Sequence, residues 1–118
     1  GDCKMTYTVT KTYTKQNDAT FWPWEKEGYS GHLDNVRSEN KLISTDLNED
    51  GNTATVTQVW SSKSDYVDVM VNKNDDSINS FYNTYNTYMA INNVSCRIVE
   101  EDGTAKVFNS SSKSHELE

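Results

Sequence analysis

Four side chains in the N-terminal third of the chain have the types and spacing of a ligand site. Trp22, Trp24, Tyr29 and His32 lie within eleven residues of one another. Aromatic rings can line the mouth of a pocket, and an imidazole titrates close enough to neutral pH to act as a general base. All four are therefore candidate ligand-binding residues, and His32 is the candidate catalytic residue. The alternative, which we favour, is that these rings pack a helix onto a sheet, because aromatic groups beside a single histidine are commoner in cores.

A second set of polar residues resembles the start of a calcium-binding loop. Asp46, Asn48 and Asp50 alternate and are followed by Gly51, as the oxygen ligands and the turn glycine do in an EF-hand loop. The twelfth position of such a loop carries a glutamate, whereas this chain has Thr57 there. The three residues remain candidates for a metal site, but we favour a hairpin turn, because an Asp-Gly pair tolerates positive φ.

Motifs that would define an enzyme class or a cofactor are absent from the sequence. There is no Ser-His-Asp order, no phosphate-cradling glycine loop and no His/Cys metal spacing. The two cysteines, Cys3 and Cys96, are far apart, and the topology predicted below puts them at opposite ends of a strand pair, so both are expected to be free thiols. We expect no cofactor and favour binding over catalysis, although whether the chain is an enzyme stays open.

The charge of the chain argues against nucleic acid as a direct partner. Eighteen acidic and eleven basic side chains give a net charge of -7, and no Lys/Arg cluster is dense enough to follow a phosphate backbone. An acidic decoy of a nucleic-acid-binding site stays open on charge alone. The chain has no apolar run of membrane-spanning length and no signal-peptide pattern at its N-terminus, so we expect a cytoplasmic protein without membrane contact.

Five segments have the patterns of β-strands. Residues 4–14 alternate strictly, with threonines on one face. The other face carries Met5, Tyr7, Val9, Lys11 and Tyr13. Residues 41–47 and 53–60 are strand-like and separated by a turn signal, which predicts an antiparallel hairpin. Residues 94–100 and 105–108 are predicted to form a fourth strand and a short fifth strand.

The remaining periodic segments are predicted to be helical. A helix beginning near Phe21 is expected to break into two short pieces, with Leu33 and Val36 facing inward. Ser62 or Ser64 can cap a second helix. A longer helix follows, with apolar and aromatic residues at amphipathic spacing. That stripe consists of Ile78, Phe81, Tyr82, Tyr85, Tyr88 and Met89.

The order of these elements predicts the fold class. It is α+β, with the ferredoxin-like order β-α-β-β-α-β, an antiparallel sheet and a short C-terminal hairpin strand. Residues 4–108 are expected to form this single domain. Residues 109–118 are expected to be a disordered tail, because they offer nothing apolar to bury. Their last two residues, Leu117 and Glu118, are compatible with a cloning remnant.

One junction carries a resemblance to a known family. Val59 and Trp60 end a strand, serines follow, and Tyr66 is the first aromatic residue of the next helix. This stretch resembles the junction between the third strand and second helix of the dimeric α+β barrel superfamily, especially its antibiotic-biosynthesis-monooxygenase-like branch. The resemblance implies a homodimer in which two sheets pack face to face into a barrel. Haem-degrading members have a tryptophan where this chain has Val69, and a histidine that the next helix of this chain lacks. The resemblance therefore does not imply haem degradation.

Threonine faces on two strands indicate which kind of environment one side of the sheet contacts. In the ferredoxin-like order the first and third strands are adjacent, and both carry alternate threonines, whereas Trp60 falls on the apolar face and should belong to the core. Threonines suit a hydrated or partner-covered surface. The sequence therefore favours a small homodimeric, non-enzymatic accessory protein that binds a small ligand or a protein partner. The alternative function is a cofactor-independent monooxygenase-like enzyme that uses the His32 cluster on a small aromatic substrate.

Overall fold

The threonine-alternating segment near the N-terminus forms a central strand of an antiparallel sheet. The computed structural model describes residues 6–25 and 41–118. Over these residues the protein is α+β, with six strands in one sheet and two α-helices. The elements are β1 (Tyr7–Lys15), a 3-10 turn (Pro23–Glu25), β2 (Leu42–Asp50), β3 (Thr53–Trp60), α1 (Lys63–Tyr66), a π-helical turn (Val67–Val71), α2 (Asp76–Asn92), β4 (Val94–Glu100), β5 (Ala105–Asn109) and β6 (Ser114–Leu117).

The sheet has the order β2-β3-β1-β4-β5-β6, and each neighbouring pair is antiparallel. This confirms the prediction that the first and third strands are neighbours near the centre. Their register places threonines directly opposite one another, as in the pairs Thr10 with Thr57 and Thr12 with Thr55. Because side chains alternate along a strand, these residues all project from the same side of the sheet.

The two sides of the sheet differ in burial, as the alternation predicts. The side covered by the helices, here called the inward face, includes Val9 and Val56, both 0% exposed, and Trp60, 1% exposed. Trp60 therefore belongs to the core, as predicted. The opposite side, here called the open face, carries half-buried or exposed threonines. They are Thr8, Thr10, Thr12 and Thr14 on β1, and Thr53, Thr55 and Thr57 on β3.

The predicted hairpin between β2 and β3 is confirmed. Asp50 pairs with Thr53, so Gly51 and Asn52 form a two-residue loop. Gly51 has a φ of 63°, a conformation that glycine adopts without the steric cost that a Cβ imposes. Strand β2 continues to Asp50, beyond the predicted end at Leu47.

The helices begin where polar side chains satisfy their first backbone N–H groups. The Ser62 hydroxyl accepts a hydrogen bond of 3.1 Å from the Asp65 N–H and caps α1, as predicted. The chain then widens into the π-helical turn, in which the Asn72 N–H donates to the Val67 carbonyl. The Asp75 carboxylate caps α2 by accepting from the Ile78 N–H at 3.1 Å.

Helix α2 buries half of the predicted stripe, whereas Phe81, Tyr82 and Tyr88 are half-buried. Ile78, Tyr85 and Met89 are buried. The Tyr85 ring meets Tyr13 of β1 edge-on, with 6.3 Å between ring centroids. Aromatic packing of this kind replaces much of the aliphatic core that the composition lacks.

The C-terminal residues differ from their prediction. Residues 109–118 were expected to be a disordered tail, whereas Ser114–Leu117 form β6 and pair with β5. The Asn109 side chain accepts hydrogen bonds from the Ser111 and Ser112 N–H groups and shapes the turn. An edge strand can thus be held by backbone hydrogen bonds, which hydropathy does not reveal.

The first predicted helix lies largely outside the described residues. Of that segment the structure describes the short turn Pro23–Glu25, and the inward-facing positions predicted for Leu33 and Val36 fall outside it. Within residues 6–25 and 41–118, no helix combines the length and the apolar character that crossing a bilayer requires.

Candidate functional site: a basic cavity around Lys11

A cavity of about 300 Å³ lies between the inward face and the helical layer. We call it the Lys11 cavity, after the strand residue in its lining. Its polar lining consists of Lys11, Tyr13, Tyr66, Lys73, Asn79, Tyr82, Asn83, Asn86, Lys106, Ser114 and His115. Its apolar lining consists of Val69, Met70, Val71, Ile78 and Ile98. The lining thus comes from β1, β4, β5, β6, the π-helical turn and α2, together with Tyr66 of α1 and Lys73 after the π-helical turn.

Lys11 is the most deeply buried charged residue of this lining. It lies on the inward face of β1, between Val56 and Ile98 on the neighbouring strands, and is only 2% exposed. Its ammonium lies 4.8 Å from the centroid of the Tyr82 ring on α2, a favourable cation–π distance. Among the residues that the structure describes, no carboxylate pairs with it. A buried ammonium without an anionic partner is costly.

A second lysine of the cavity is already compensated. Lys106 Nζ lies 3.1 Å from Glu100 Oε2. The same carboxylate accepts hydrogen bonds from Tyr66 Oη at 3.1 Å and from Tyr7 Oη at 2.9 Å. Burial raises the pKa of both tyrosines well above its usual value, and the nearby Glu100 carboxylate raises it further. Glu100 is buried and Lys106 is partly buried, and together they form a hydrogen-bonded pair without net charge.

His115 brings an imidazole to the cavity from β6. Burial, together with the positive charges of Lys11 and Lys106, lowers its pKa to about 3, so the ring is neutral at neutral pH. Its Nε2 is buried and has no hydrogen-bond partner in the described part of the chain. The ring packs on Phe108, with 5.4 Å between ring centroids. His115 therefore adds to the cavity lining an imidazole whose Nε2 has no hydrogen-bond partner among the described residues.

The charge of the cavity is opposite to that of the chain. Three lysines and one histidine line it, and no Asp or Glu is among its described lining residues. The whole chain, by contrast, carries a net charge of -7. Since Lys106 is paired and His115 is neutral, the uncompensated positive charge inside the cavity is that of Lys11. Lys73 is exposed, and water can solvate its charge.

The predicted aromatic site is only partly within the described residues. Trp22 and Trp24 stack on each other, with ring centroids 5.1 Å apart and 12° between the planes. Trp24 also packs edge-on against Tyr13 and donates from Nε1 to Glu49. Neither tryptophan lines the Lys11 cavity. Tyr29 and His32 lie outside the described residues, so their role as ligand-binding or catalytic residues stays a prediction.

The candidate calcium ligands lie along an extended strand. Asp46, Asn48 and Asp50 belong to β2 and pair with the open-face threonines of β3. A strand rises about 3.3 Å per residue, so the first and last of the three are about 13 Å apart. Calcium ligands must converge within about 2.5 Å of the ion. Across the described ranges no group of three His, Cys, Asp or Glu side chains could hold a metal ion.

Sequence reasoning missed the residues that form this cavity. One signal was present: Lys11 falls on the apolar face of an otherwise regular alternation, and a lysine at a buried position needs an explanation. For His115 no comparable signal exists, because β6 was not predicted as a strand.

Comparisons with known proteins identified no relative of this chain. No protein-family model, curated protein or solved structure matches the chain.

Proposed function

We propose that this protein is a non-enzymatic module that binds a small molecule in the Lys11 cavity. The observation that carries the proposal is the 2%-exposed Lys11, which lines an unfilled volume of about 300 Å³. Ligand sites in proteins are mostly preformed clefts of roughly 300–1,000 Å³ with a few converging polar groups. A space of this kind around an uncompensated charge is unfavourable unless something occupies it.

The conformation of the cavity wall also supports binding. The π-helical turn supplies Val69, Met70 and Val71 to the lining. Such turns are rare and are frequently found at functional sites. Here the turn contributes three consecutive residues to the wall of the cavity.

The ionisable groups around the cavity favour binding over catalysis. His115 has a pKa of about 3, so it is too weak a base to take protons efficiently near neutral pH. The carboxylate of Glu100 is engaged by Tyr7, Tyr66 and Lys106. These features position and hold a ligand better than they transfer a proton.

A ferredoxin-like architecture and a face-to-face homodimer complete the proposal. The order β2-β3-β1-β4 supports the architecture, although β5 and β6 extend the sheet beyond the predicted pattern. The open face would form the contact in the barrel implied by the resemblance, and the threonine methyl groups are suited to partial burial. A solution mass of twice 13.4 kDa, reduced to one chain by Thr10→Lys, would support the dimer. A monomer at high concentration would refute it.

Ligand binding can be tested by a fragment screen read out by amide chemical shifts. Asn79 lines the cavity, whereas Thr84 lies exposed on the same helix and outside the lining. The variant Asn79→Trp is expected to fill the cavity and abolish binding of the hits, and Thr84→Trp is the matched control. Hits that bind equally well to Asn79→Trp, or that shift only distant amides, would overturn the proposal.

A further inference from the structure

We infer that the ligand of the Lys11 cavity is a small monocarboxylate, held by its charged end at Lys11 and by an apolar body against the inner wall. This inference rests on the proposed function and specifies the chemistry of the ligand. It comes from three properties of the cavity, namely its net charge, its free polar atom and its apolar surface.

The charge inside the cavity selects a monoanion. Lys106 is neutralised by Glu100 at 3.1 Å, and His115 is uncharged at neutral pH. Among the described lining residues, this leaves Lys11 as the buried uncompensated charge, because Lys73 is exposed to water. A carboxylate would neutralise that charge, and a charge-assisted hydrogen bond to the ammonium would be strong in this setting. A dianionic phosphate ester would instead leave one buried negative charge without compensation, which is costly.

A second polar contact is available beside the lysine. Nε2 of His115 is buried and unpartnered in the part of the chain that the structure describes. A neutral imidazole carries one N–H, which either ring nitrogen can hold. An anion in the cavity favours the tautomer with the proton on Nε2, because that tautomer can donate to a carboxylate oxygen. The histidine would therefore assist the lysine without adding charge.

The rest of the lining suits an apolar body of limited size. Ile98, Val69 and Met70 offer aliphatic surface, and Tyr13 and Tyr66 offer ring faces or edges. A volume of about 300 Å³ corresponds to roughly ten non-hydrogen atoms if each takes up about the 30 Å³ of a liquid water molecule. Benzoate and hexanoate are of this size, and both place a single carboxylate at one end.

The test compares acids with their uncharged amides. Benzoate, hexanoate, benzamide and hexanamide are titrated into the full chain, and amide shifts and calorimetry report binding. We expect each acid to bind at least ~10-fold more tightly than its amide, as one charge-assisted contact would provide. Equal binding of acid and amide would overturn the inference, and tighter binding of phenyl phosphate than of benzoate would overturn the selection of a monoanion.

Substitution of the lysine provides a second measurement. Lys11→Met shortens the side chain by one atom, keeps it unbranched and removes a buried charge, so the fold should be retained. It is expected to weaken acid binding ~10-fold or more and to leave amide binding unchanged. The matched control is Lys113→Met, at an exposed lysine outside the lining, with a change below ~3-fold because its charge is solvated. Unchanged acid affinity in Lys11→Met would contradict the inference, and an unfolded variant would leave the decision to the acid and amide titrations.

The outcomes also separate this inference from the proposed function. If amides bind as well as acids and Asn79→Trp blocks both, the cavity is a ligand site but the ligand class is wrong. If no acid, amide or screened fragment binds in the cavity, the proposed function fails as well, and the cavity holds only water around a hydrated ammonium.

Discussion

Lys106 and Glu100 form an ion pair beneath the helical layer, with 3.1 Å between Nζ and Oε2. The two residues come from the neighbouring strands β5 and β4. Because of this pairing, Lys11 and not Lys106 is the uncompensated buried charge among the described residues of the Lys11 cavity. The hydroxyl groups of Tyr7 and Tyr66 satisfy further lone pairs of the same carboxylate, so that Glu100 is buried with its hydrogen bonds in place.

Glu100→Gln is predicted to destabilise the protein. The amide keeps a polar group beside the two tyrosines but leaves the partly buried Lys106 without a counter-charge. Breaking a buried pair by removing one partner costs about 3 kcal/mol or more. Urea unfolding at pH 7 should therefore show a clearly lower midpoint.

The control for this substitution is Asp18→Asn, an exposed carboxylate in the turn after β1, which should change stability by less than about 0.5 kcal/mol. A Glu100→Gln variant as stable as this control would show that the pair contributes nothing net. In the folded variant the cavity holds two uncompensated lysines, so phenyl phosphate should gain affinity relative to benzoate.

His115 is predicted to make the protein less stable in mild acid. Its pKa is about 3 in the folded protein and 6.5 as an unperturbed group. Between these values the unfolded chain binds a proton that the folded chain does not, so the free energy of unfolding falls as pH decreases through 6.5 towards 3. Between pH 7 and pH 5 this residue should account for about 1 to 2 kcal/mol of that fall.

The measurement is urea unfolding of the wild type and of His115→Asn at both pH values. Other titrating groups contribute in both proteins, so the difference between the two pH dependences isolates His115. The variant should lose less stability on acidification. Parallel pH dependences would show that the ring is solvated and titrates normally in the folded state.

Gly51→Ala is predicted to weaken the hairpin between β2 and β3. Gly51 has a φ of 63°, and a Cβ built at this position meets no atom within 4 Å. The cost is therefore conformational and not steric crowding by neighbours, and it should be about 1 kcal/mol. Thermal unfolding measures it, and Gly51→Asn should lose less because asparagine tolerates positive φ better. A neutral Gly51→Ala would mean that the turn adopts another conformation in solution.

Cys96 is predicted to be inert to thiol reagents in the folded protein. It is 2% exposed on the inward face of β4, and burial raises the pKa of its thiol to about 12. Since the thiolate is the reactive form, iodoacetamide should label Cys96 only through opening or unfolding. Mass spectrometry of a Cys3→Ser background follows this thiol alone. Labelling as fast as in concentrated urea would contradict the buried position.

Local patterns predicted most of the elements. The alternation along residues 7–14 identified β1 and showed which of its side chains lie on the same face of the sheet as Trp60. This follows because residues two positions apart project from the same side of a strand. Gly51 located the hairpin, and Ser62 located the start of α1. These signals depend on residues that are close together in the sequence, so they can be recognised without knowing which residues meet in the folded protein. The strand β6 escaped prediction because backbone pairing with β5 holds it, and no apolar pattern marks it.

For the candidate site, too, local patterns predicted part of the arrangement and the tertiary structure decided the rest. The described members of the aromatic and acidic sets singled out in the sequence did not identify the cavity, since Trp22 and Trp24 are not among its lining residues and Asp46 to Asp50 run along β2. The alternation alone determined that Lys11 points to the inward face. Only the tertiary structure decided that Tyr82 and His115 meet it there and that Glu100 pairs with Lys106 instead, because the charge balance of a buried group depends on residues from distant segments packed around it.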